Sequence, residues 1–343
     1  MLPGLLIGFT LSFQAPEVPA DLPFVVYPGG DGPGRGREIV FVTGDEEYRS
    51  EESLPQLAKI LSVRHGFRAT VLFAIDRETG EIDPDTQDNI PGLEALDTAD
   101  LMVLFTRFRD LPDEQMRWIV RYVESGRPIV GLRTATHAFR FERHTTYRRY
   151  DYRSREWDGG FGRQVLGETW IAHHGRHGSQ STRGLLERSA GPHPILRGIA
   201  DGDVWDPADV YAVRLPLPDD CRTLLRGQVL AGMRKDDGPA TPVSGEPASD
   251  PNDPMMPIAW VRTRTAGTET TTRIFATTLG SSQAFEQEGT RRLLVNACYW
   301  AVGLEAEIDP GLDVELVGEF APRPFGFGKF ERGLRPRDHT LNR

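Results

Sequence analysis

The segment Ile171-Ala172-His173-His174-Gly175-Arg176-His177-Gly178 holds three of the chain's eight histidines. His173 and His177 are four apart, a spacing that puts two imidazoles on one face of a helix and suits a metal. Gly175 and Gly178 argue against a helix, so a loop presenting His173 or His174 is expected instead. Neutral histidines suit acid–base chemistry, or hydrogen bonds to sugar hydroxyls, better than metal ligation here. A metal would also need a carboxylate, with Glu46, Glu47 and Glu168 as candidates. No metal ligand is therefore assigned and no cofactor is predicted; a divalent metal is the less favoured reading.

Two further groups of polar residues follow apolar runs. Asp45, Glu46 and Glu47 come directly after Glu38–Thr43 (EIVFVT). Glu51 and Glu52 belong more naturally to a first helical turn, where the helix dipole favours them. Glu46 and Glu47 are thus the candidate site carboxylates, with Glu47 as a base or as the orienter of a histidine. Arg107 and Arg109 follow Asp100–Thr106; one is expected to clamp a carboxylate, keto oxygen or hydroxyl pair, the other to lie at the surface.

The run Pro128–Leu132 (PIVGL) leads straight into Arg133-Thr134-Ala135-Thr136-His137. A buried strand followed by small residues and a short helix is the setting of a nucleophile elbow. Arg133 stands where Ser or Cys would, and a guanidinium is no nucleophile. The expected catalytic residues are His137, His173, His174 and Glu47. Glu46, Arg107, Arg133, Thr134 and Trp157 are the expected substrate-binding residues. Trp157 lies in Arg140–Arg163, where arginines alternate with Tyr147, Tyr150, Tyr152 and Phe161, read as a lid or wall over the elbow. The nearby carboxyl groups of Glu142, Asp151, Glu156, Asp158 and Glu168 offset its charge.

The elements that must position these groups alternate. Ser50 is expected to cap a helix with Leu54, Leu57, Ala58 and Leu61 on its apolar face, ended by Gly66. Ala69–Ala74 reads as a strand, Asp76–Asp97 mostly as loop. Pro112 starts a second helix with Met116, Ile119, Val120 and Val123 as its stripe and Gly126 as its stop. Val210–Val213, Arg222–Leu230, Pro257–Thr263 and Thr272–Thr278 are later strand candidates, and Leu293 to Ala301 a last helix. Nearly continuous apolar strands between amphipathic helices imply βαβ units, hence an α/β fold with a doubly wound, mainly parallel sheet. Ligands of such sheets bind beyond the carboxyl ends of the strands, where all the groups above fall.

Composition narrows the function classes. The 343 residues carry 50 acidic and 40 basic side chains, a net charge of −10, which disfavours nucleic-acid partners. Only Lys59, Lys235 and Lys329 are lysines, an arginine excess read mainly as genome bias. Two cysteines, Cys221 and Cys298, exclude a disulfide scaffold and a cysteine-built zinc site. Leu2–Phe13 is too short to span a membrane and reads as the apolar part of a signal peptide over residues 1–15, although no basic residue precedes it. Export to the periplasm is expected, with a cytoplasmic location as the alternative. Residues 16–36, rich in Pro and Gly, read as a linker, 37–305 as the α/β domain, and 306–343 as a C-terminal extension wrapped on the body or partly disordered.

The combination of VFVTG, GLRTATHAF, HHG at Gly175, HPIL at Pro194 and the closing RRLLVNACYWAVG resembles the ThuA-like (trehalose-utilisation) family over about residues 37–305. The resemblance implies the flavodoxin-like fold of class I glutamine amidotransferases and a role in catabolism of glycosides or their keto derivatives. Many members place His at the elbow position held here by Arg133. Amidotransferase activity itself is not expected, because it needs a Cys thiolate at the elbow. The leading expectation is acid–base processing of a small carbohydrate, as a lyase, isomerase or hydrolase. A non-catalytic carbohydrate-binding or assembly module and an atypical metallohydrolase are the alternatives. A homo-oligomer is compatible with the sequence.

Overall fold

The computed structural model describes residues 22–242, 250–266 and 270–341. The candidate signal segment 1–15 lies outside the described residues, as do residues 243–249 within the Pro-, Ser- and Asp-rich stretch 235–253, which reads from the sequence as a surface excursion. No helix among the described residues is long and apolar enough to cross a membrane.

The first half of the chain builds β1 (Phe24–Tyr27), β2 (Glu38–Gly44), β3 (Arg68–Leu72), β4 (Leu101–Thr106) and β5 (Ile129–Leu132). The second half adds β6 (Ala172–His173), β7 (Thr182–Leu186), β8 (Trp205–Asp206), β9 (Tyr211–Ala212), β10 (Cys221–Val229), β11 (Met256–Ala266) and β12 (Thr270–Thr277). Ten of these form one sheet in the order β1-β3-β2-β4-β5-β12-β11-β10-β7-β8, while β6 and β9 pair separately. The stretch β3-β2-β4-β5-β12 is parallel. β1 and the wing β11-β10-β7-β8 are antiparallel. The architecture is therefore mixed α/β: a large mixed sheet with a parallel centre and, among the described residues, three α-helices, α1 (Ser50–His65), α2 (Asp113–Glu124) and α3 (Glu288–Ala301).

Side-chain alternation decides which helix covers which face. Ile39, Phe41, Val103 and Phe105 pack with Leu54 and Leu57 of α1 and Leu294 and Ala297 of α3. Val40, Val42, Met102 and Leu104 pack on the opposite face with Met116 and Ile119 of α2. Both faces of these strands are buried, which is why they read as unbroken apolar runs. Gly131 has a packing reason: a Cβ there would meet Leu166 Cδ1 at 2.8 Å.

Three local expectations are revised. Ser50 does not cap α1; its Oγ accepts from the Gly44 and Asp45 amides, both at 3.1 Å, and Arg49 takes the cap position in a left-handed conformation at φ 63°. Phe24–Tyr27, inside the segment read as a linker, is a strand, because its alternate residues Val25 and Tyr27 bury against the sheet. Val210–Val213 contributes only the two-residue β9, outside the main sheet.

The C-terminal residues lie along the body. The Gly326 amide donates to the Glu47 carbonyl at 2.7 Å, the Ile82 amide to the Leu334 carbonyl at 2.7 Å, and the Tyr27 hydroxyl to the His339 carbonyl at 2.6 Å.

Candidate functional site

The turn after β2 is shaped by Asp45. Its Oδ1 accepts from the amides of Glu47, at 2.8 Å, and Tyr48, while Thr134 donates its hydroxyl to Oδ2. This links the β2 and β5 loops and holds Glu46 and Glu47 beyond the strand ends. Glu46 meets two arginines: Arg107 on Oε1 and Arg109 on Oε2 at 2.7 Å. Arg107 also places Nε 3.7 Å from Glu47 Oε2, and its guanidinium lies 4.5 Å and 5.1 Å from the ring centres of Phe108 and Phe327. Arg109 is completely buried, contrary to the expected surface arginine, because its fork is also taken by the carbonyls of Pro84, Thr86 and Arg107.

Arg133 has the conformation its place in the sequence suggests. It takes φ 39°, a left-handed geometry that is uncommon outside glycine and marks a tight elbow. Its side chain is not presented to a ligand, however. The guanidinium is fully buried between Tyr48 and Tyr211, 4.0 and 4.2 Å from the ring centres. Its Nη1 donates to the carbonyls of Thr278 at 2.7 Å and Asp209 at 3.2 Å. Thr134 is likewise buried and committed to Asp45, so it positions the elbow.

Above Arg133 lies a cluster that the sequence reading had only in part. Asp209 is buried, and its Oδ2 faces His173 Nδ1 at 2.7 Å while Oδ1 faces His177 Nδ1 at 3.0 Å. The second nitrogen of His177, Nε2, lies 3.1 Å from Glu47 Oε1. The loop brings the two rings within 4.7 Å of each other without a helix, because the amides of Ser179 and Gln180 fold back onto the Arg176 carbonyl. His174 does not join them. It turns to the Pro251 carbonyl at 2.7 Å, as neighbours on an extended backbone point apart. Glu168 is elsewhere too, bound by Arg163 and by Arg214 at 3.1 Å.

Electrostatics distinguish the members. Burial alone would raise the Asp209 carboxyl, but the His173 hydrogen bond, the Arg133 charge and His177 together hold it below the usual carboxylate range. Burial pushes Glu47 upward, against the opposing charge of Arg107. His137 is driven far below the ordinary imidazole value by burial and by the charges of Arg107 and Arg133, so it stays neutral. Its ring sits among Trp170 at 4.9 Å, Phe108 at 5.0 Å and Tyr211 at 5.8 Å.

The aromatic wall differs from the expected one. Trp157 packs 5.0 Å from Tyr150 and beneath Arg149, on the α2 side of the sheet. Tyr152, Trp170, Phe108 and Tyr211 are the rings that reach the His137 ring. Phe325, from the C-terminal segment, lies 5.5 Å from both His177 and Tyr48. Asp209, Tyr211 and Phe325 were not among the expected site residues. The pair Asp206–Asp209 in an otherwise apolar stretch was the available signal for Asp209; nothing local marks Phe325.

The model of the ThuA family, described as trehalose utilisation, matches residues 38–301. No curated protein sequence matches. Among solved structures, a ThuA-like protein from Bacteroides uniformis ATCC 8492 is similar at TM-score 0.47 and 16% identity, covering 83% of this chain and 98% of its own. A ThuA-like protein from Parabacteroides merdae ATCC 43184 is similar at TM-score 0.44 and 16% identity, covering 89% and 99%.

Proposed function

The chain belongs to the ThuA family, and on that premise we propose that it processes a carbohydrate, a glycoside or its keto derivative, by acid–base chemistry without a covalent nucleophile. The observation that carries this reading is the array His173–Asp209–His177–Glu47 built over an elbow whose residue is Arg133. Asp209 holds the Nδ1 proton of His173, which leaves Nε2 as the proton acceptor. Arg107, beside Glu47 and partly exposed, supplies a charged donor for a keto oxygen or a developing oxyanion. Trp170 and Phe108 offer ring faces for a sugar. His137, neutral and caged, supports this wall from below.

The finer fold reading belongs to the same proposal. The parallel strands form a doubly wound, flavodoxin-like unit of the class I glutamine amidotransferase-like kind, supported by α1 and α3 on one face and α2 on the other. Residues 37–305 are read as the functional domain, 306–343 as an extension that completes its wall, and 1–15 as an export signal to the periplasm. Amidotransferase chemistry is no part of it: Cys298 is buried within α3, and Cys221 begins β10.

Incubation of the purified protein with a panel of glycosides and their 3-keto derivatives, read by mass spectrometry, tests the reading. Turnover that falls at least ~100-fold in His173→Ala supports it. Saturable sugar binding without product makes the protein a carbohydrate-binding module instead, and absence of both binding and product rejects a carbohydrate ligand.

A further inference from the structure

We propose that His173, His177 and Asp209 bind a divalent first-row transition-metal cation, with Glu47 as the carboxylate that orients His177. The inference goes beyond the sugar reading and does not need it. One ligand atom from each of the three residues lies within 4.8 Å of the others. Two imidazoles and one carboxylate form a ligand set shared by zinc, manganese and ferrous sites.

Proton counting adds a second, independent argument. Three imidazole nitrogens face carboxylate oxygens: His173 Nδ1, His177 Nδ1 and His177 Nε2. Two neutral rings carry only two N–H groups between them. One of the three contacts therefore sets lone pair against lone pair, unless an extra proton or a cation lies there. A cation between the two Nδ1 atoms and Asp209 resolves the conflict. His177 then carries its proton on Nε2 and donates it to Glu47 Oε1, the outer carboxylate–histidine arrangement that fixes the tautomer of a metal ligand.

Charge and access agree with this placement. Asp45, Glu46, Glu47, Asp206 and Asp209 outnumber the buried Arg49, Arg109 and Arg133 and the partly exposed Arg107 by one around the site. A cation therefore meets a net negative site even with Arg133 Nη2 3.4 Å from Asp209 Oδ1. The side chains of His173 and His177 are 38% and 36% exposed while Asp209 is covered. Three protein ligands on an open surface leave positions for water or for sugar hydroxyls, the pattern of a reactive site, not of a closed structural one. With the cation bound, the two histidines are ligands and the proton-accepting role passes to water on the open position.

The test is titration of chelator-treated full-length protein with Zn2+ by calorimetry, and with Co2+ by visible absorption. The expected result is one equivalent per chain, with a Co2+ band typical of nitrogen and oxygen ligation. His173→Ala, His177→Ala and Asp209→Asn should each abolish the saturable phase, and Glu47→Gln should weaken it about 10–100-fold. His174→Ala, whose ring points to Pro251, should bind as the wild type does. Circular dichroism confirms that each variant is folded; should Asp209→Asn unfold, the two histidine variants decide. No saturable binding of either ion by the folded wild type, or equal loss in His174→Ala, overturns the proposal. Because the readout is binding, metal without sugar turnover rejects only the sugar reading, and turnover without metal rejects only this one.

Discussion

Arg133 holds Asp209 through both its main chain and its side chain: Nη1 donates to the carbonyl at 3.2 Å, and Nη2 lies 3.4 Å from Oδ1. Both side chains are completely buried. The elbow residue has thus become the support of the carboxylate on which both loop histidines converge. An arginine suits this position because its flat fork can stack between Tyr48 and Tyr211 while donating in its own plane.

Removing one partner of such a pair leaves a buried charge unmatched. Arg133→Gln should lose about 3–5 kcal/mol of stability, and Arg133→Lys, which keeps the charge but not the fork, should fall between. Urea denaturation of the three proteins measures this. A loss below ~1 kcal/mol in Arg133→Gln would show that the pair behaves like an exposed one.

Local signals in the sequence sufficed where structure is locally determined. The apolar face of α1 and its Gly66 stop at φ 80°, the α2 boundaries and the parallel strands β2, β4 and β5 follow from periodicity, a glycine cap and apolar runs. The elbow at Arg133 was legible because a strand, small residues and a short helix stand in series. What escaped was long-range. Asp209 is 76 residues from Arg133 and 36 from His173, and only the closed fold places its carboxylate between them. The sequence offers His177 as a ligand and His174 as a catalyst; the backbone turn at Arg176 decides between them, and spacing alone does not encode it. Phe325 reaches Tyr48 from the far end of the chain, so no window of sequence contains both.

Glu51 gives a pH prediction. Burial pushes its carboxyl from the ordinary 4.5 to about 8, although Arg49 lies 3.5 Å from Oε1, and its Oε2 has no hydrogen-bond partner among the described residues. The folded state therefore holds the proton more tightly than the unfolded chain. Its contribution to stability is fully present below pH 4.5 and is lost as pH rises through 8. Glu51→Gln is neutral throughout, so its stability relative to wild type should rise across that window by roughly 3–5 kcal/mol, at ~1.4 kcal/mol per pKa unit. Denaturation midpoints at a series of pH values check it; a difference independent of pH removes Glu51 as the cause.

The cysteines should prove inert. Burial pushes the Cys221 thiol up to about 12 and raises Cys298 as well, so neither supplies a thiolate near neutrality. Iodoacetamide at pH 7.5 should leave Cys298 unlabelled in the native protein. Cys221→Ser together with Cys298→Ala should retain whatever turnover or binding the wild type shows. Rapid alkylation of native Cys298, with loss of function, would contradict the assignment of chemistry to the histidine cluster.

Asp206 places Asp209 without touching the cluster. Its Oδ2 accepts from the Gly280 amide at 2.7 Å and the Ser281 amide at 3.1 Å, and its Oδ1 from the Ser281 hydroxyl and the Ala208 amide at 2.8 Å. Four donors converge on one buried carboxylate, pinning the Asp206–Asp209 loop to the turn between β12 and α3. Asp206→Ala leaves these donors unpaired and should lose about 2–4 kcal/mol, whereas Asp206→Asn keeps two acceptor positions and should lose less. A purely structural role would lower stability alone. A positioning role also loosens Asp209, so Asp206→Asn should weaken Zn2+ or sugar binding under conditions where circular dichroism shows it fully folded. Unchanged binding in folded Asp206→Asn would separate this loop from the site and leave the placement of Asp209 to Arg133 and the two histidines.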